Sequence, residues 1–119
     1  MWILALYAAC LFGATVNHAW MLWQHGLFWD YGGVPRTTQA YWTSLTFVDP
    51  AAIMLLFVRP VAGIWLTLVI IVSDVVHNTW FGFTHGQPAK WMFYSQVVFL
   101  AFVLLTLPAA LRGLKPAPP

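Results

Sequence analysis

Four stretches of nearly unbroken apolar residues divide the chain, at about residues 1–23, 40–58, 61–81 and 90–111. Each matches the roughly 20 residues needed to cross about 30 Å of hydrocarbon. In lipid only helices and closed barrels satisfy their own backbone, and runs this long and continuous are helices. Short connections between them predict an all-α, up-down-up-down four-helix transmembrane bundle. One membrane domain over 1–111 and a disordered tail over 112–119 account for the chain.

Turn-forming residues punctuate the pattern. Gly32-Gly33-Val34-Pro35 marks a turn within the longest and most polar connection, from about His25 to Gln39. Arg59-Pro60 makes a tight turn into the third segment, and Gly82 to Gln87 leads to Pro88, which opens the fourth. Leu107-Pro108 closes the last helix near the membrane surface. In the second segment Pro50 removes a backbone donor and clashes with the preceding turn, so a kink or short break is expected. Asp49 just before it has two readings: an N-cap starting a new helix, or a carboxylate inside the membrane.

Seven polar side chains interrupt the apolar runs: Asn17, His18, Asp49, Asp74, His77, Asn78 and Gln96. With 7% charged and 61% hydrophobic residues overall, they are the feature to explain. Intramembrane ionisable groups are costly unless paired, hydrated or used, which makes them functional candidates. Counting at 1.5 Å per residue from the expected helix ends puts them at depths of roughly 6–13 Å from the face away from the termini. They are expected to form one layer less than about 10 Å thick on that scale. Six of eight tryptophans (Trp20, Trp23, Trp29, Trp42, Trp80 and Trp91) fall in the same half, against Trp2 and Trp65 in the other. An interfacial belt would populate both faces, so some of these rings are also read as pocket walls.

Composition adds exclusions. The mean hydropathy of +0.77 is that of a membrane protein. A net charge of +2 without any Lys/Arg run offers nothing to nucleic acid. The first segment has no basic residue near its start and stays apolar to Trp23, which sets it apart from a cleaved export signal. Cys10 is the one cysteine and reads as a small buried apolar residue. Arg59, Arg112 and Lys115 fall on the side of the termini, against Arg36 and Lys90 offset by Asp30. The positive-inside rule then puts both termini in the cytoplasm.

Asp74, His77 and Asn78 stand at i, i+3 and i+4 on one helical face. A carboxylate beside an imidazole fixes its tautomer and raises its basicity, which suits acid–base work. The competing reading is a polar contact between helices. Adjacent Asn17 and His18 diverge by about 100°, so one of them faces the bundle centre. His18 and His77 at matched depth admit a second idea, two imidazoles gripping a b-type haem. Acidic neighbours at that level argue against it, and no cofactor is expected. No H-x-x-x-H or cysteine pair supports zinc. The chain contains no Glu, no glycine-rich phosphate loop and no nucleophile elbow, which removes hydrolytic and phosphoryl-transfer chemistry.

Taken together, Ala8-Ala9-Cys10 with Asn17-His18-Ala19-Trp20, Ser73-Asp74 through His77-Asn78 to Trp80-Phe81, and Phe93-Tyr94 to Leu107-Pro108 resemble the EXPERA family. That family holds a sterol isomerase, the emopamil-binding protein, and sigma-receptor-like membrane proteins. The resemblance implies a four-helix fold and a pocket for a sterol-like or other amphipathic lipid, with double-bond isomerisation as the associated chemistry. It departs where His18 replaces the family's first carboxylate, where Asp49 alone stands for the second, and around Ala101, where an Asn is expected. The expected roles are His77 as proton carrier, Asp74 as its orienter, and Asp49 with His18 as carbocation-stabilising or second acid–base groups. Asn17, Asn78, Gln96, Trp20 and Trp80 are expected to line the ligand site. The partner is then a membrane lipid or cationic amphiphile, as a monomer or homodimer. A non-catalytic subunit of a larger membrane complex is the alternative, its polar layer zipping helices together.

Overall fold

In the computed structural model, which describes residues 2–86 and 91–114 (the backbone alone at Trp91), four helices form a sequential ring. They are α1 Trp2–His25, α2 Arg36–Val58, α3 Pro60–His85 and α4 Trp91–Arg112. All four are long and apolar enough to cross a membrane, so this is a multi-pass integral membrane protein. At 1.5 Å per residue they measure about 33–39 Å, enough to span the hydrocarbon and reach the interface. Each helix packs on its chain neighbour, and α1 closes the ring against α4, leaving α1 and α3 diagonal.

Several boundaries differ from the sequence pattern, each for a local reason. α2 begins at Arg36 because Pro35, with φ −56° and ψ 151°, supplies the extended residue before it. It then runs unbroken through Pro50, so Asp49 is not an N-cap. α3 continues past Gly82 to His85, where Gly86 in the left-handed conformation (φ 62°) stops it. α4 passes through Pro108 to Arg112 instead of ending at Leu107-Pro108. Gly113 and Leu114 still form hydrogen-bonded turns, and Leu114 packs against the core, so the tail does not loosen at 112. Pro88, Lys90, the Trp91 side chain and residues 115–119 lie outside the described residues.

The ring is tight at the end that carries the termini. There Gly63 of α3 presses on α2: a Cβ in its place would lie 2.5 Å from Leu56 N and 2.7 Å from Leu56 Cα. Across the other seam, Tyr7 of α1 is fully buried and its hydroxyl lies 2.7 Å from Thr106 Oγ1 on α4. Edge-on contacts to Phe99 and Phe102, with centroids 6.1 and 5.8 Å away, complete that joint. Beyond it the ring opens. The buried residues of α1 end at Leu11, although the helix continues to His25. Val103 and Ala110, the buried residues of α4, also lie towards the closed end.

Gly63→Ala should therefore lower the thermal stability of the detergent-solubilised protein, because backbone cannot give way as a side chain would. Overpacking of this kind costs about 1–3 kcal/mol. Gly13→Ala, whose added Cβ meets nothing within 4 Å, should leave the melting temperature unchanged or slightly raised.

Candidate functional site

Between α1 and the other three helices lies a partly open cavity of about 1010 Å³. Small residues explain the space on the α1 side: Ala9, Gly13 and Ala14 line the cavity without filling it. The opposite wall is bulky and apolar, with Ile70 and Ile71 from α3 and Phe93 and Phe99 from α4. The volume is at the upper end of the roughly 300–1,000 Å³ usual for small-molecule sites. Six of the seven intramembrane polar residues line it: Asn17, His18, Asp49, Asp74, Asn78 and Gln96.

These polar groups do not form a single layer. Thr38, which meets His77, stands eleven residues before Asp49 along α2, about 16 Å at helical rise. The expected thickness is exceeded because α2 starts four residues earlier than its apolar run, which moves Asp49 inward. Asp49 now sits near the middle of its helix, towards the membrane centre.

The tier nearer the connecting loops is a set of bonds between helices. Trp42 Nε1 of α2 donates to Asn78 Oδ1 of α3 at 3.1 Å, and Asn78 Nδ2 donates to Gln96 Oε1 of α4 at 2.8 Å. One asparagine thus ties three helices. His77 Nε2 stands 3.1 Å from Thr38 Oγ1, and its ring packs between Tyr41 and Trp80 at 4.7 and 5.5 Å. Slightly deeper, Tyr41 donates to Asp74 Oδ1 at 2.7 Å and lies 2.7 Å from Ser73 Oγ.

The expected Asp74–His77 pair is therefore replaced. Tyr41 takes the carboxylate of Asp74 and stacks beside His77, so each is answered by α2. His77 is absent from the cavity lining, which removes it as a proton carrier for anything bound there. It also removes the facing imidazoles required by the haem idea. Trp20 and Trp80 are not walls either. They lie outside the cavity, 56% and 48% exposed, as lipid-facing rings do.

The deepest tier behaves differently. Asp49 is only 1% exposed, yet neither carboxylate oxygen has a hydrogen-bond partner. Its nearest basic group is His18 Nε2, 3.9 Å from Oδ2, beyond direct hydrogen-bonding range. Thr46 Oγ1, one turn earlier on α2, is also buried without a partner. Pro50 has no N–H to offer the Thr46 carbonyl, which leaves this part of the helix rich in acceptors.

Sequence reasoning does not single out Tyr31, Thr38, Tyr41 or the particular role of Trp42. A stripe drawn through Asp49 at alternating spacings of three and four passes through Trp42 and Thr38, and that is the usable signal. Tyr31 depends on the loop. It adopts φ 54°, unusual for a bulky residue, beside an Asp30 Oδ1 to Gly32 N turn of 3.1 Å. Its hydroxyl lies 3.2 Å from Thr43 Oγ1 and its ring meets Trp42 edge-on at 5.2 Å, so the α1–α2 loop folds against the cavity mouth. Cys10 lines the cavity and is exposed rather than buried.

Comparison of the chain with protein-family models, curated proteins and solved structures finds no match in any of the three.

The two tiers should answer mutation oppositely. Asn78→Ala strands the Trp42 N–H and the Gln96 carbonyl and should destabilise the bundle by about 1–3 kcal/mol. Asp49→Asn breaks no hydrogen bond and should melt at or above the wild-type temperature. Equal losses in both variants, measured by thermal unfolding in one detergent, would make Asp49 another structural contact.

Proposed function

We propose that this protein binds an amphipathic, sterol-like lipid in the cleft between α1 and α4, in the manner the EXPERA resemblance suggests. The observation that carries the reading is the apolar-walled cavity of about 1010 Å³, beside which Asp49 lies buried and unpartnered near the membrane centre. An ionisable group at that depth is disfavoured by about 2.5–3.5 kcal/mol even on translocon-derived scales. Helix packing leaves both Asp49 carboxylate oxygens buried without a hydrogen-bond donor beside the cavity. Asn78, Gln96 and Asp74 contribute polar atoms to the same cavity while they brace the helices. This supports a pocket held open by its own walls.

A second reading follows from two carboxyl groups, Asp49 and Asp74, lining one cavity together with His18. Such a set supports movement of a ligand double bond. One carboxylic acid adds a proton to an alkene carbon, and a second base removes a proton from the allylic position on the other side, leaving the composition unchanged. His18, which lines the same cavity, is the imidazole assigned to this work in the proposal. For orientation we propose cytoplasmic termini, with Arg59 and Arg112 on the inner side against Arg36, which Asp30 offsets. The subunit alternative would need the open side of α1 to receive a helix from another protein.

Purification from native membranes in a mild detergent, followed by mass spectrometry of extracted lipid, tests the proposal. Wild-type protein should retain about one molecule of a particular lipid per chain. Gly13→Phe, which pushes a ring into the cavity, should lose most of it while remaining monodisperse. Equal retention by both proteins, or a protein partner that cannot be separated from the wild type, would count against the pocket.

A further inference from the structure

Six rings run in an unbroken row across the loop-side end of the cavity. They start at His25 on the last turn of α1 and pass through Trp29 and Tyr31 of the α1–α2 loop to Trp42 of α2. The row ends at Phe81 and His85 of α3. Successive ring centroids stand 3.7, 4.6, 5.2, 5.2 and 4.2 Å apart, each step a ring contact. Tyr31, Trp42 and Phe81, in the middle, line the cavity itself. The row is a roof that ties three helices together, and Trp29 and Tyr31 are its members outside any helix.

That loop portion is strained at one residue and permissive on both sides of it. Tyr31 adopts φ 54°, a left-handed conformation that a bulky side chain rarely takes. Gly26 before it (φ 91°) and Gly32 and Gly33 after it (φ 83° and 101°) reach positive φ without that crowding. Two contacts hold Tyr31 down. Its ring meets Trp42 edge-on, and its hydroxyl lies 3.2 Å from Thr43 Oγ1. That separation exceeds the usual range of about 2.5–3.0 Å for hydroxyl pairs. Gln39 Nε2 moors the loop at Phe28 O, at 2.9 Å. The bonds from Gly32, Gly33 and Val34 to Asp30 are internal to the loop and travel with it.

We propose that the α1–α2 loop is a gate over this end of the cavity, closed in this structure, with Tyr31 as its latch. Release of Tyr31 from Thr43 and Trp42 lets the loop turn at its glycines and admits water to the polar half of the cavity. Backbone strain relieved at Tyr31 offsets the ring and hydroxyl contacts that are lost, which keeps the open state within reach. The latch also bears on the frame below it: Trp42, against which Tyr31 rests, donates to Asn78, and Asn78 donates to Gln96. This gate goes beyond the lipid reading, since it needs the cavity but not the identity of its occupant.

A thiol placed under the roof tests it. Met21 lines the cavity one turn before His25, so Met21→Cys in a Cys10→Ser background reports access from the loop side. The full chain in lipid nanodiscs is treated with a permanently cationic methanethiosulfonate, which does not cross hydrocarbon, and separately with neutral N-ethylmaleimide. The readout is the ratio of the cationic to the neutral rate. Tyr31→Gly removes the strain, the ring and the hydroxyl together. It should raise the ratio at least about tenfold, more than one neutral hydrogen bond is usually worth. Thr43→Val removes only the partner of the Tyr31 hydroxyl and should raise the ratio about two- to tenfold. That second variant decides the matter if Tyr31→Gly does not fold. An unchanged ratio, whether both rates stay put or both rise equally through general loosening, would overturn the gate. So would a parent protein that already reacts with the cationic reagent as fast as Tyr31→Gly. Lipid retention does not enter this readout, so the gate and the lipid reading fail separately.

Discussion

Hydrocarbon offers no water, so every polar side chain inside this bundle must find its partner in the protein or in something bound to it. That constraint sorts the polar residues into two kinds. Asn78 satisfies it by bridging Trp42 and Gln96, and Asp74 by accepting from Tyr41. These bonds fix α2, α3 and α4 relative to one another near the connecting loops. Asp49 does not satisfy it. The same helices thus hold a stable frame and an unanswered acid, and the first keeps the second from collapsing onto a partner.

Why a cavity persists between them follows from where α1 is attached. Tyr7 joins it to α4 through Thr106 at the end of the termini, with Phe99 and Phe102 around the ring. Towards the other end α1 presents alanine and glycine where a bulky residue would close the gap. The α1–α2 loop returns Tyr31 to the cavity mouth against Trp42. This enclosure, hinged at one end, is the space that the proposed ligand would occupy.

Much of this is legible in the amino-acid sequence, and the limits have physical causes. Four membrane-length helices follow from apolar run length alone, because lipid permits few other solutions. Six of the seven polar residues do reach one cavity, since a costly group in a membrane is seldom placed without a use. Depth is less readable. Helix ends extend into polar residues such as Arg36-Thr37-Thr38-Gln39 and Thr84-His85, which hydropathy assigns to loops, and a shift of four residues moved Asp49 by about 6 Å. Pairing is harder still. Asp74 and His77 share a face, but Tyr41, from a different helix, decides where each hydrogen bond goes. Aromatic position along a helix likewise says little about direction: Trp42 turns inward while Trp20 and Trp80 turn to lipid.

The central claim is that the α1–α4 cleft holds an amphipathic lipid. An experimental density map of the protein extracted in native lipid tests this most directly. The account predicts elongated non-protein density in the cleft, lying along Ile71 and Phe99. A cleft closed by α1 against α4, or filled by a helix of a second protein, would contradict it.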